Sequence, residues 1–440
     1  MPPAGSQPHV LYVAWGFPPG RSGGVYRALA TANAFADNGF RVTVLTAERE
    51  TFRQHTGVDP SLEDLVHPGI EVVRLPFSWP YAVTDRAQWP LLRRLVPRVW
   101  RKVRVWLDQV PFPEKVYGPW RRPLQRAAAA IHARTPVDLV VATANPNVDF
   151  AAADHLHRRA GVPYVMDYRD AWLLHVFDGH QIHPDGSRIA KLERRLIGGA
   201  AEVWFVNEPI RRWHERRYPD LADRMHVVAN GFDPHFAPAP RLSPPAPGKP
   251  LRFGYIGTVS GKVPLAEFAQ GWSLARRRSP ALADAAAEIW GYLGFHATPN
   301  PGLLSLVESH AEDGLTYAGP LAKARVREVY DSFDALLLIL GAGRYVTSGK
   351  VYEYLASALP IVSVHSPDNA ATDVLRGYPL WFPVTDLSPE SVAAALEAAA
   401  EQARSAGPEV RQECERFAQQ YSRDLQLLPR VRALRERVSD

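Results

Sequence analysis

The segment that most constrains the fold spans residues 335–366 and reads ALLLIL, GAGRYVTSGK, VYEYLASALP and IVSVHS. Its first and last parts, residues 335–340 and 361–366, are almost continuously apolar, which is typical of strands buried on both faces of a parallel sheet. The part between them predicts a glycine-bearing loop and a helix that begins near Thr347 or Ser348. The segment therefore predicts one βαβ unit, and with it an α/β fold.

The N-terminus of that helix predicts a place for an anion. In a βαβ unit the helix starts at the carboxyl edge of the sheet, where its first N–H groups and its dipole favour negative charge. Ser348, Gly349 and Lys350 are placed to hold a phosphate, and Glu353 is suited to accept hydrogen bonds from ribose hydroxyls. This fits a diphosphate with a sugar on each end. In the structural alternative Ser348 is only an N-cap, and the two charged side chains are only solvated.

Length and composition bound the class of protein. A chain of 440 residues is long enough for two or three domains, and its net charge of +5 does not by itself indicate a nucleic-acid partner. The single cysteine, Cys414, excludes an internal disulfide framework and a multi-cysteine metal site. Because the sequence shows neither a signal-peptide pattern nor an apolar run of spanning length, we expect a cytoplasmic protein that does not cross a membrane.

The start of the chain predicts a nucleotide-binding type of fold. Residues 9–17 predict a central strand, residues 25–38 a helix, and residues 41–47 the next strand. The loop between the first strand and the helix carries Gly23 and Gly24 within GRSGG, which is not the GxGxxG fingerprint. Two uses of these glycines stay open. They ease a tight turn, or they let the backbone approach a phosphate or a sugar closely.

Charged residues follow a later strand of the same half. A strand is predicted at residues 164–168, and Arg169-Asp170-Ala171-Trp172 follows it, so Asp167, Arg169 and Asp170 emerge at the carboxyl edge of the sheet. They either form a structural ion pair or face a substrate. Three histidines in the next loop lack the spacing of a metal site, and we interpret them as solvent or loop contacts. They are His175, His180 and His183.

Residues 79–120 combine five tryptophans with a run of basic side chains. The basic residues are Arg93, Arg94, Arg98, Arg101, Lys102 and Arg104. One interpretation is an interfacial helix on anionic lipid, with tryptophan at the headgroups. A second is an amphipathic helix docked on its own domain, with its arginines solvated. A third is a segment that binds single-stranded nucleic acid by stacking and charge. We retain a peripheral membrane contact as a candidate and expect no nucleic-acid partner.

A second α/β pattern begins after a proline-rich segment. Residues 235–250 are dense in proline and lack apolar periodicity, which predicts a semi-rigid linker. Residues 251–257 then predict a strand, TVSGK a loop and residues 265–277 a helix. Lys262 in that loop offers a second cation near the phosphate expected at Lys350, and the alternative is that it is only solvated.

These patterns predict two Rossmann-like domains facing across a cleft. The first covers residues 1–237, the linker residues 238–250, and the second residues 251–407. Residues 408–440 predict helix that packs back on the first domain, with a break at Pro429. The sequence gives no prediction of the oligomeric state.

Nearly the whole chain resembles the GT-B glycosyltransferases of the retaining, nucleotide-sugar-dependent "glycosyl transferases group 1" type. The motifs that carry the resemblance are Gly23 with Gly24, NGFD at 230–233, Gly257 with Lys262, KVYEYLA at 350–356 and PIV at 360–362. The DYRD segment at 167–170 is similar to one found in bacterial members that act in surface-polysaccharide or antibiotic assembly. The resemblance implies transfer of a sugar, with retained configuration, from a nucleoside diphosphate sugar to a hydroxyl.

The resemblance also implies roles for individual residues. The implied donor-binding residues are Gly23, Gly24, Gly257, Thr258, Lys262, Arg344, Tyr345, Ser348, Gly349, Lys350 and Glu353. The implied catalytic residues are Arg169, Asp170, Lys262 and Lys350, and the implied acceptor-binding residues are Asp167 and Trp172. The implied donor is a UDP-, GDP- or TDP-sugar, and the acceptor is a small molecule, a glycan or a lipid-linked sugar. We expect no metal and no cofactor.

Two positions depart from the family pattern. Tyr345 stands where many members have a glutamate that touches the transferred sugar, and Thr258 replaces an arginine. Arg344 is a candidate substitute for the missing cation. Three alternatives to sugar transfer remain at this point: a nucleotide-sugar epimerase of the same fold, a non-enzymatic membrane-associated or nucleic-acid-binding protein, and a pyridoxal-phosphate phosphorylase, which the short chain disfavours.

Overall fold

The computed structural model describes residues 7–83, 85–235, 237–294, 298–321, 325–341 and 343–439, which divide into two compact units. Unit 1 consists of Met1–His175, His180–Val228 and Leu427–Asp440. Unit 2 consists of Val176–Gly179 and Ala229–Gln426. Within the described ranges, every helix is too short or too polar to cross a bilayer.

The sheet of unit 1 is parallel throughout its described strands, in the order β3-β2-β1-β4-β5-β6-β7. The strands are β1 (His9–Val13), β2 (Arg41–Ala47), β3 (Ile70–Leu75), β4 (Leu139–Thr143), β5 (Tyr164–Asp167), β6 (Glu202–Phe205) and β7 (Met225–Val227). All five residues of β1 are buried, as the apolar run predicted. The strand order reverses between β1 and β4, which is where α/β sheets of this type bind ligands, outside their carboxyl edge.

The helices of unit 1 that the structure describes are α1 (Gly23–Asp37), α2 (Arg49–His55), α3 (Leu91–Leu95), α4 (Pro97–Gln109), α5 (Arg121–Arg134), α6 (Phe150–Ala160), α7 (Arg188–Gly199) and α8 (Glu208–Arg217). Leu29 and Phe35 of α1 pack into one apolar cluster with Val10 of β1. The helix begins at Gly23, so Gly23 and Gly24 form its first turn, whereas the sequence placed them in the preceding loop.

The tryptophans of residues 79–120 do not form the exposed aromatic row that the lipid interpretation requires. Trp120 is buried, and Trp79 packs against Trp15 with ring centroids 6.3 Å apart. Trp89 and Trp100 both lie against the guanidinium of Arg93. Trp106, by contrast, is 65 % exposed. The expectation of a tryptophan belt is therefore wrong for the other four, because their rings pack within unit 1.

The described sheet of unit 2 is also parallel, in the order β10-β9-β8-β11-β12-β13. Its strands are β8 (Arg252–Ile256), β9 (Ala286–Trp290), β10 (Leu315–Gly319), β11 (Ala335–Ile339), β12 (Ile361–Val364) and β13 (Trp381–Pro383). Leu337 and Ile339 of β11 pack into one apolar cluster, and Leu336 and Leu338 pack into a second cluster. Successive residues of a strand point to opposite faces, so β11 is buried on both sides.

The remaining helices in the described part of the chain are α9 (Leu265–Arg278), α10 (Pro301–Glu308), α11 (Val326–Asp331), α12 (Gly349–Ala356), α13 (Ala370–Leu375), α14 (Pro389–Ser405), α15 (Pro408–Gln419) and α16 (Arg423–Ser439). β11, α12 and β12 form the βαβ unit that residues 335–366 predicted, with Leu336 paired to Ile361. The prediction of two Rossmann-like α/β domains is confirmed by the two sheets.

The division between the units differs from the predicted domain limits. It falls after Val228, and the proline-rich segment 238–250 lies within unit 2. The N–H of Arg241 donates to the carbonyl of Ser357 at 2.8 Å, and its guanidinium lies 2.9 Å from the Asp334 carboxylate. Phe232 packs in the core of unit 2. These contacts explain why a segment with linker-like composition is a fixed part of unit 2.

The C-terminal helices divide between the two units. Cys414 of α15 packs in the core of unit 2, whereas Leu427 and Leu434 of α16 pack in the core of unit 1. The chain therefore returns to unit 1 at Leu427, whereas the sequence predicted that it returns at residue 408. The predicted break at Pro429 is wrong, because α16 continues through it. A proline removes one helical hydrogen bond, and the buried residues on either side hold the helix together.

Candidate active site

The carboxyl edge of unit 2 brings Lys350 onto the end of β8. Lys350 is the second residue of α12, and its Nζ donates to Tyr255 Oη at 2.9 Å and lies 4.6 Å from the Tyr255 ring centroid. The Lys350 side chain is half-buried, and its ammonium group lies at the edge of the sheet with a tyrosine hydroxyl as partner. No sequence motif points to Tyr255, which is an ordinary aromatic residue in an apolar strand.

Two glycines make room for this lysine. A Cβ at Gly257 would lie 2.0 Å from Lys350 Cε, and Gly257 has φ +144°, which L side chains rarely adopt. A Cβ at Gly291 would lie 2.2 Å from the carbonyl oxygen of Gly257. Gly257 and Lys350, which the sequence analysis placed in separate motifs, are therefore in direct contact, and Gly291 is a supporting residue that the analysis missed.

The first turn of α12 is open at its N-terminus. Ser348 occupies the N-cap position in extended conformation, and within the described chain its hydroxyl makes no capping hydrogen bond. Nothing in the described chain lies within 4 Å of a Cβ position at Gly349. The loop before the helix is held by Asn369, whose Nδ2 donates to the Gly341 carbonyl at 2.9 Å. The helix therefore presents its unpaired N–H groups at the sheet edge, as an anion site requires.

Glu353 lies exposed one turn further along α12, with its carboxylate oriented by a buried phenol. Tyr330 Oη donates to Glu353 Oε2 at 3.1 Å. Burial, together with the Glu353 carboxylate, raises the pKa of Tyr330 well above its ordinary value, so this hydroxyl stays a donor. Tyr354 on the next position accepts a hydrogen bond from the Ile256 N–H at 3.2 Å. The KVYEYLA motif therefore exposes one acidic residue and ties the helix to the end of β8.

The other predicted donor-side residues surround this edge within unit 2. The carbonyl of Thr258 accepts a hydrogen bond from Tyr255 Oη at 2.9 Å, and the Thr258 side chain is exposed. Lys262 is exposed, and its Nζ lies 4.5 Å from the Phe177 ring centroid. Arg344 is exposed in the loop before α12, and the neighbouring Tyr345 is half-buried. The convergence of Lys262 and Lys350 on one diphosphate stays a prediction.

At the carboxyl edge of unit 1, Asp167 is sealed inside the structure. Its carboxylate has 0 % exposure and pairs with Arg27, with the shortest contact from Nη2 to Oδ1 at 2.6 Å. Thr143 Oγ1 donates to the same carboxylate at 3.0 Å. The acceptor-binding role implied for Asp167 is therefore wrong for this structure, and the structural ion pair is correct with Arg27, rather than Arg169, as the partner.

The neighbouring predicted residues are more accessible. A Cβ at Gly24 would lie 2.5 Å from Arg169 Nη1, so Gly24 gives space to this arginine. Arg169 Nη2 lies 3.4 Å from Asp170, whose carboxylate also accepts from Asn145 Nδ2 at 2.9 Å. Trp172 is half-buried and stacks on Phe112, with ring centroids 5.3 Å apart. No described atom approaches within 4 Å of a Cβ position at Gly23.

Two carboxyl groups near this edge, the buried Asp149 and the half-buried Glu114, belong to no motif in the sequence. Asp149 Oδ2 accepts from the Trp15 N–H at 2.7 Å, just beyond β1, and Glu114 accepts from the N–H groups of Asn147 and Val148. Burial raises the pKa of Glu114 to about 7, and it raises the pKa of Asp149 well above its ordinary value. Neither residue stands in a recognisable motif, so only the tertiary structure reveals them.

The histidine loop is more compact than its spacing indicated. The rings of His175 and His180 stack with centroids 4.6 Å apart. One ring nitrogen of His175 lies within 4.8 Å of one ring nitrogen of His180. His183 lies outside this group. These side chains are exposed or half-exposed, and the expectation that the protein uses no metal stays a prediction.

Comparisons with known proteins place this geometry in a family context. Residues 22–231 match the family model of the glycosyl transferase 4-like domain. The chain is similar in fold to a glycosyltransferase from Rickettsia africae, with a TM-score of 0.65, 11% identity and coverage of 98% of each chain. A comparison of the sequence with curated proteins finds no match.

Two further solved structures share the fold. Anabaena HepE in complex with UDP has a TM-score of 0.59 at 13% identity, over 97% of this chain and 99% of that chain. Sucrose-phosphate synthase from Thermosynechococcus elongatus has a TM-score of 0.60 at 12% identity, over 98% of both chains.

The two parallel sheets and the likeness to these structures define the GT-B fold. Residues 22–231 match the glycosyl transferase 4-like domain, and the whole chain has the fold of GT-B glycosyltransferases. The resemblance drawn from the sequence is confirmed at this level.

Proposed function

We propose that the protein transfers a sugar from a nucleoside diphosphate sugar to a hydroxyl-bearing acceptor, with retention of configuration at the anomeric carbon. The observation that carries the proposal is the position of Lys350. Its ammonium group lies at the open N-terminus of α12, beside the end of β8, and its partner is the Tyr255 hydroxyl, which itself donates to the Thr258 carbonyl. A cation in this position is available to a second anion, because its own contact leaves its charge uncompensated.

The chemistry follows from the groups at this edge. The diphosphate lies at the first turn of α12, where Ser348 and Gly349 receive it and Lys350 opposes its charge. Glu353, oriented by Tyr330, accepts hydrogen bonds from the ribose hydroxyls. As the bond between the anomeric carbon and the diphosphate breaks, negative charge grows on the leaving oxygen, and Lys350 stabilises it. The acceptor oxygen bonds to the anomeric carbon, and its proton passes to the departing diphosphate.

The other implied residues keep supporting roles in this proposal. Lys262 and Arg344 supply further positive charge to the donor, and Thr258 and Tyr345 line the donor site. On unit 1, Arg169, Asp170 and Trp172 are the proposed contacts of the acceptor or of the transferred sugar. Asp167 is withdrawn from this set because it is fully buried. We expect the reaction to need no metal and no cofactor besides the donor.

The nucleotide is proposed to be UDP, in preference to GDP or TDP. Support comes from the HepE structure of similar fold, whose complex contains UDP. Because that likeness is at 13% identity, the base needs its own experiment.

A thermal-shift screen of UDP, GDP, TDP and ADP tests the donor site. A ligand at about 100 times its dissociation constant stabilises the folded state by about 2.7 kcal/mol. We expect UDP to raise the melting temperature of the wild-type protein, and Lys350→Ala to lose that rise. Lys249→Ala is the matched control, since Lys249 is an exposed lysine of unit 2 outside the site. If UDP raises the melting temperature of Lys350→Ala as much as that of the wild type, the assignment of the donor site is wrong.

A product analysis then separates transfer from epimerisation. The donor chosen by the screen is incubated with the protein, with and without a panel of hydroxyl-bearing acceptors, and NMR reports the anomeric configuration of the product. We expect a new glycoside of unchanged configuration that forms only with acceptor. An altered donor sugar in the absence of acceptor would identify an epimerase instead.

A further inference from the structure

Helices α3 and α4 of unit 1 carry their apolar residues on the outside. Six of these residues form what we call the apolar stripe: Leu91, Leu95, Val99, Val103, Trp106 and Val110. Each is between 42 % and 73 % exposed. Their spacing of three or four residues along each helix places them on one face. In a globular protein such a face normally packs on the core, so its exposure here marks an interaction surface.

The opposite face of α4 is polar and attaches the helix to unit 1. Among residues 97–109, all of which the structure describes, Asp108 is the buried one, at 1 % exposure. Arg104 pairs with it at 2.9 Å, and Tyr81 Oη donates to it at 2.7 Å. Arg188 donates to the carbonyls of Gln109 and Val110 at 2.8 and 2.7 Å. The helix is thus fixed with its carboxylate inward and its apolar stripe outward.

Basic side chains border the stripe. Residues 91–110 contain six basic residues and one acidic residue, and the acidic one is the inward Asp108. Arg98 and Lys102 are exposed, and each immediately precedes a stripe residue on α4, so both lie along the same side of the stripe. The surface therefore combines an apolar centre with a positively charged margin.

We propose that α3 and α4 dock unit 1 on an anionic lipid bilayer. The apolar stripe enters the boundary between headgroups and acyl chains, Arg98 and Lys102 contact lipid phosphates, and Trp106 lies at the headgroup level. Charge complementarity selects this occupant. A second copy of the chain would bring two basic margins together, and like charges repel.

Nucleic acid fits this surface less well than lipid. Stacking of unpaired bases needs several accessible aromatic rings. Of the five tryptophans in this region, Trp106 is the one that belongs to the stripe, and the other four pack within unit 1. An aliphatic stripe with a basic margin is instead the composition of an interfacial helix.

Docking at a bilayer favours a lipid-linked acceptor among the acceptor classes named above, and that consequence rests on the proposed function. The docking proposal itself does not depend on the proposed function. Its test needs neither donor nor acceptor, so a failure of docking leaves the donor site untouched, and a failure of donor binding leaves docking untouched.

Co-sedimentation of the full chain with vesicles tests the proposal. One set of vesicles is pure phosphatidylcholine, and the other is phosphatidylcholine mixed with phosphatidylglycerol. We expect wild-type protein to bind the anionic vesicles at least about tenfold more tightly than the neutral ones, and added salt to weaken that binding. Equal binding to both, or no binding to either, would overturn the proposal.

Matched variants separate the two parts of the surface. Leu95→Glu with Trp106→Glu should lower binding to anionic vesicles by about tenfold or more, because charge replaces inserted apolar area. Arg98→Glu with Lys102→Glu should abolish the preference for anionic vesicles. The controls are Leu425→Glu, and Arg277→Glu with Arg278→Glu, which change exposed residues of unit 2 by the same chemistry. Equal losses in the controls would contradict the assignment.

Further measurements on the same variants exclude misfolding and other binding partners. Each variant should melt at the wild-type temperature, because the substituted side chains are exposed. Analytical ultracentrifugation and oligonucleotide binding are run on the same proteins. A dimer that the Leu95→Glu, Trp106→Glu variant dissociates, or oligonucleotide binding that this variant abolishes, would assign the surface to another partner and overturn the proposal.

Discussion

The carboxyl edges of the two sheets have the same strand pattern but treat charge differently. In unit 1, Asp167 is sealed against the guanidinium of Arg27, with 0 % and 4 % of the two residues exposed. In unit 2, Lys350 is half-buried and its partner is the hydroxyl of Tyr255. An ion pair compensates both charges, whereas a phenol leaves the ammonium charge in place. The identity of the partner therefore distinguishes a compensated charge at one carboxyl edge from an uncompensated charge at the other.

The largest expected effect tests the structural side of this comparison. Asp167→Asn leaves the Arg27 guanidinium buried without a counter-charge, and breaking a buried pair in this way costs about 3–5 kcal/mol of unfolding free energy. Denaturant unfolding measures the loss. Asp170→Asn is the control, since its side chain is 46 % exposed and its loss should stay below about 1 kcal/mol. Equal stability of Asp167→Asn and wild type would show that the pair is not structural.

The next effect tests the chemical side. Lys350→Ala and Glu353→Ala should each reduce turnover by about tenfold or more, the scale of one charged contact to the transition state. Neither should change the unfolding free energy by more than about 1 kcal/mol, because Lys350 is half-buried and Glu353 is exposed. Steady-state rates with the identified donor provide the measurement, with Lys249→Ala as the control. Normal rates in both variants would refute the assignment of the site.

A smaller effect isolates the position of the lysine from its charge. Gly257→Ala places a methyl group on Lys350 Cε and strains the backbone at φ +144°. We expect turnover to fall, by less than in Lys350→Ala, because the displaced ammonium retains its charge. Gly261→Ala is the matched control in the same loop, since no described atom lies within 4 Å of its Cβ position. If both alanine variants behave alike in the kinetic assay, contact between Gly257 and Lys350 has no functional role.

The smallest effect concerns the pH dependence of stability. The pKa of Glu114 is about 7 in the folded state, against an ordinary value of 4.5. Between these values the folded state holds the proton more tightly, so raising the pH lowers stability, by about 1 kcal/mol from pH 6 to pH 7 for this group. Asp149 and Tyr117 face the same cluster, and burial also raises their pKa values.

Unfolding free energies of wild type and Glu114→Gln at the two pH values measure this contribution. The variant loses one acceptor for a backbone N–H and should be less stable overall, so the slope with pH is the informative quantity. Its slope should be flatter than that of wild type. Glu50→Gln is the control: Glu50 is exposed and its pKa is lowered by Gln54 and Arg53, so it does not titrate in this window. An unchanged slope in Glu114→Gln would contradict the raised pKa.

The sequence was sufficient for the features that depend on neighbouring residues. The apolar runs of β1 and β11 predicted central strands, and the KVYEYLA segment predicted α12 and its exposed end. These predictions succeed because burial on both faces demands a continuous run, and a helix terminus is a local property.

Features that depend on distant partners were not predictable. Asp167 was placed at an acceptor because Arg27, which neutralises it, lies 140 residues away. The proline-rich segment was interpreted as a linker because its attachment to Asp334 through Arg241 has no trace in local composition. Glu114 and Asp149 look like surface acids in the sequence, and their burial follows only from tertiary packing.

The inward carboxylate of Asp108 has a consequence for how α4 would meet a surface. Rolling this helix about its axis to hide the leucine and valine side chains would separate Asp108 from the Tyr81 hydroxyl, while Arg104, on the same helix, would move with it. The inward position of Asp108 therefore keeps the apolar stripe exposed while the protein is in water. Attachment to a membrane would then proceed by rigid placement of an already assembled face, and no refolding of the helix would have to precede it.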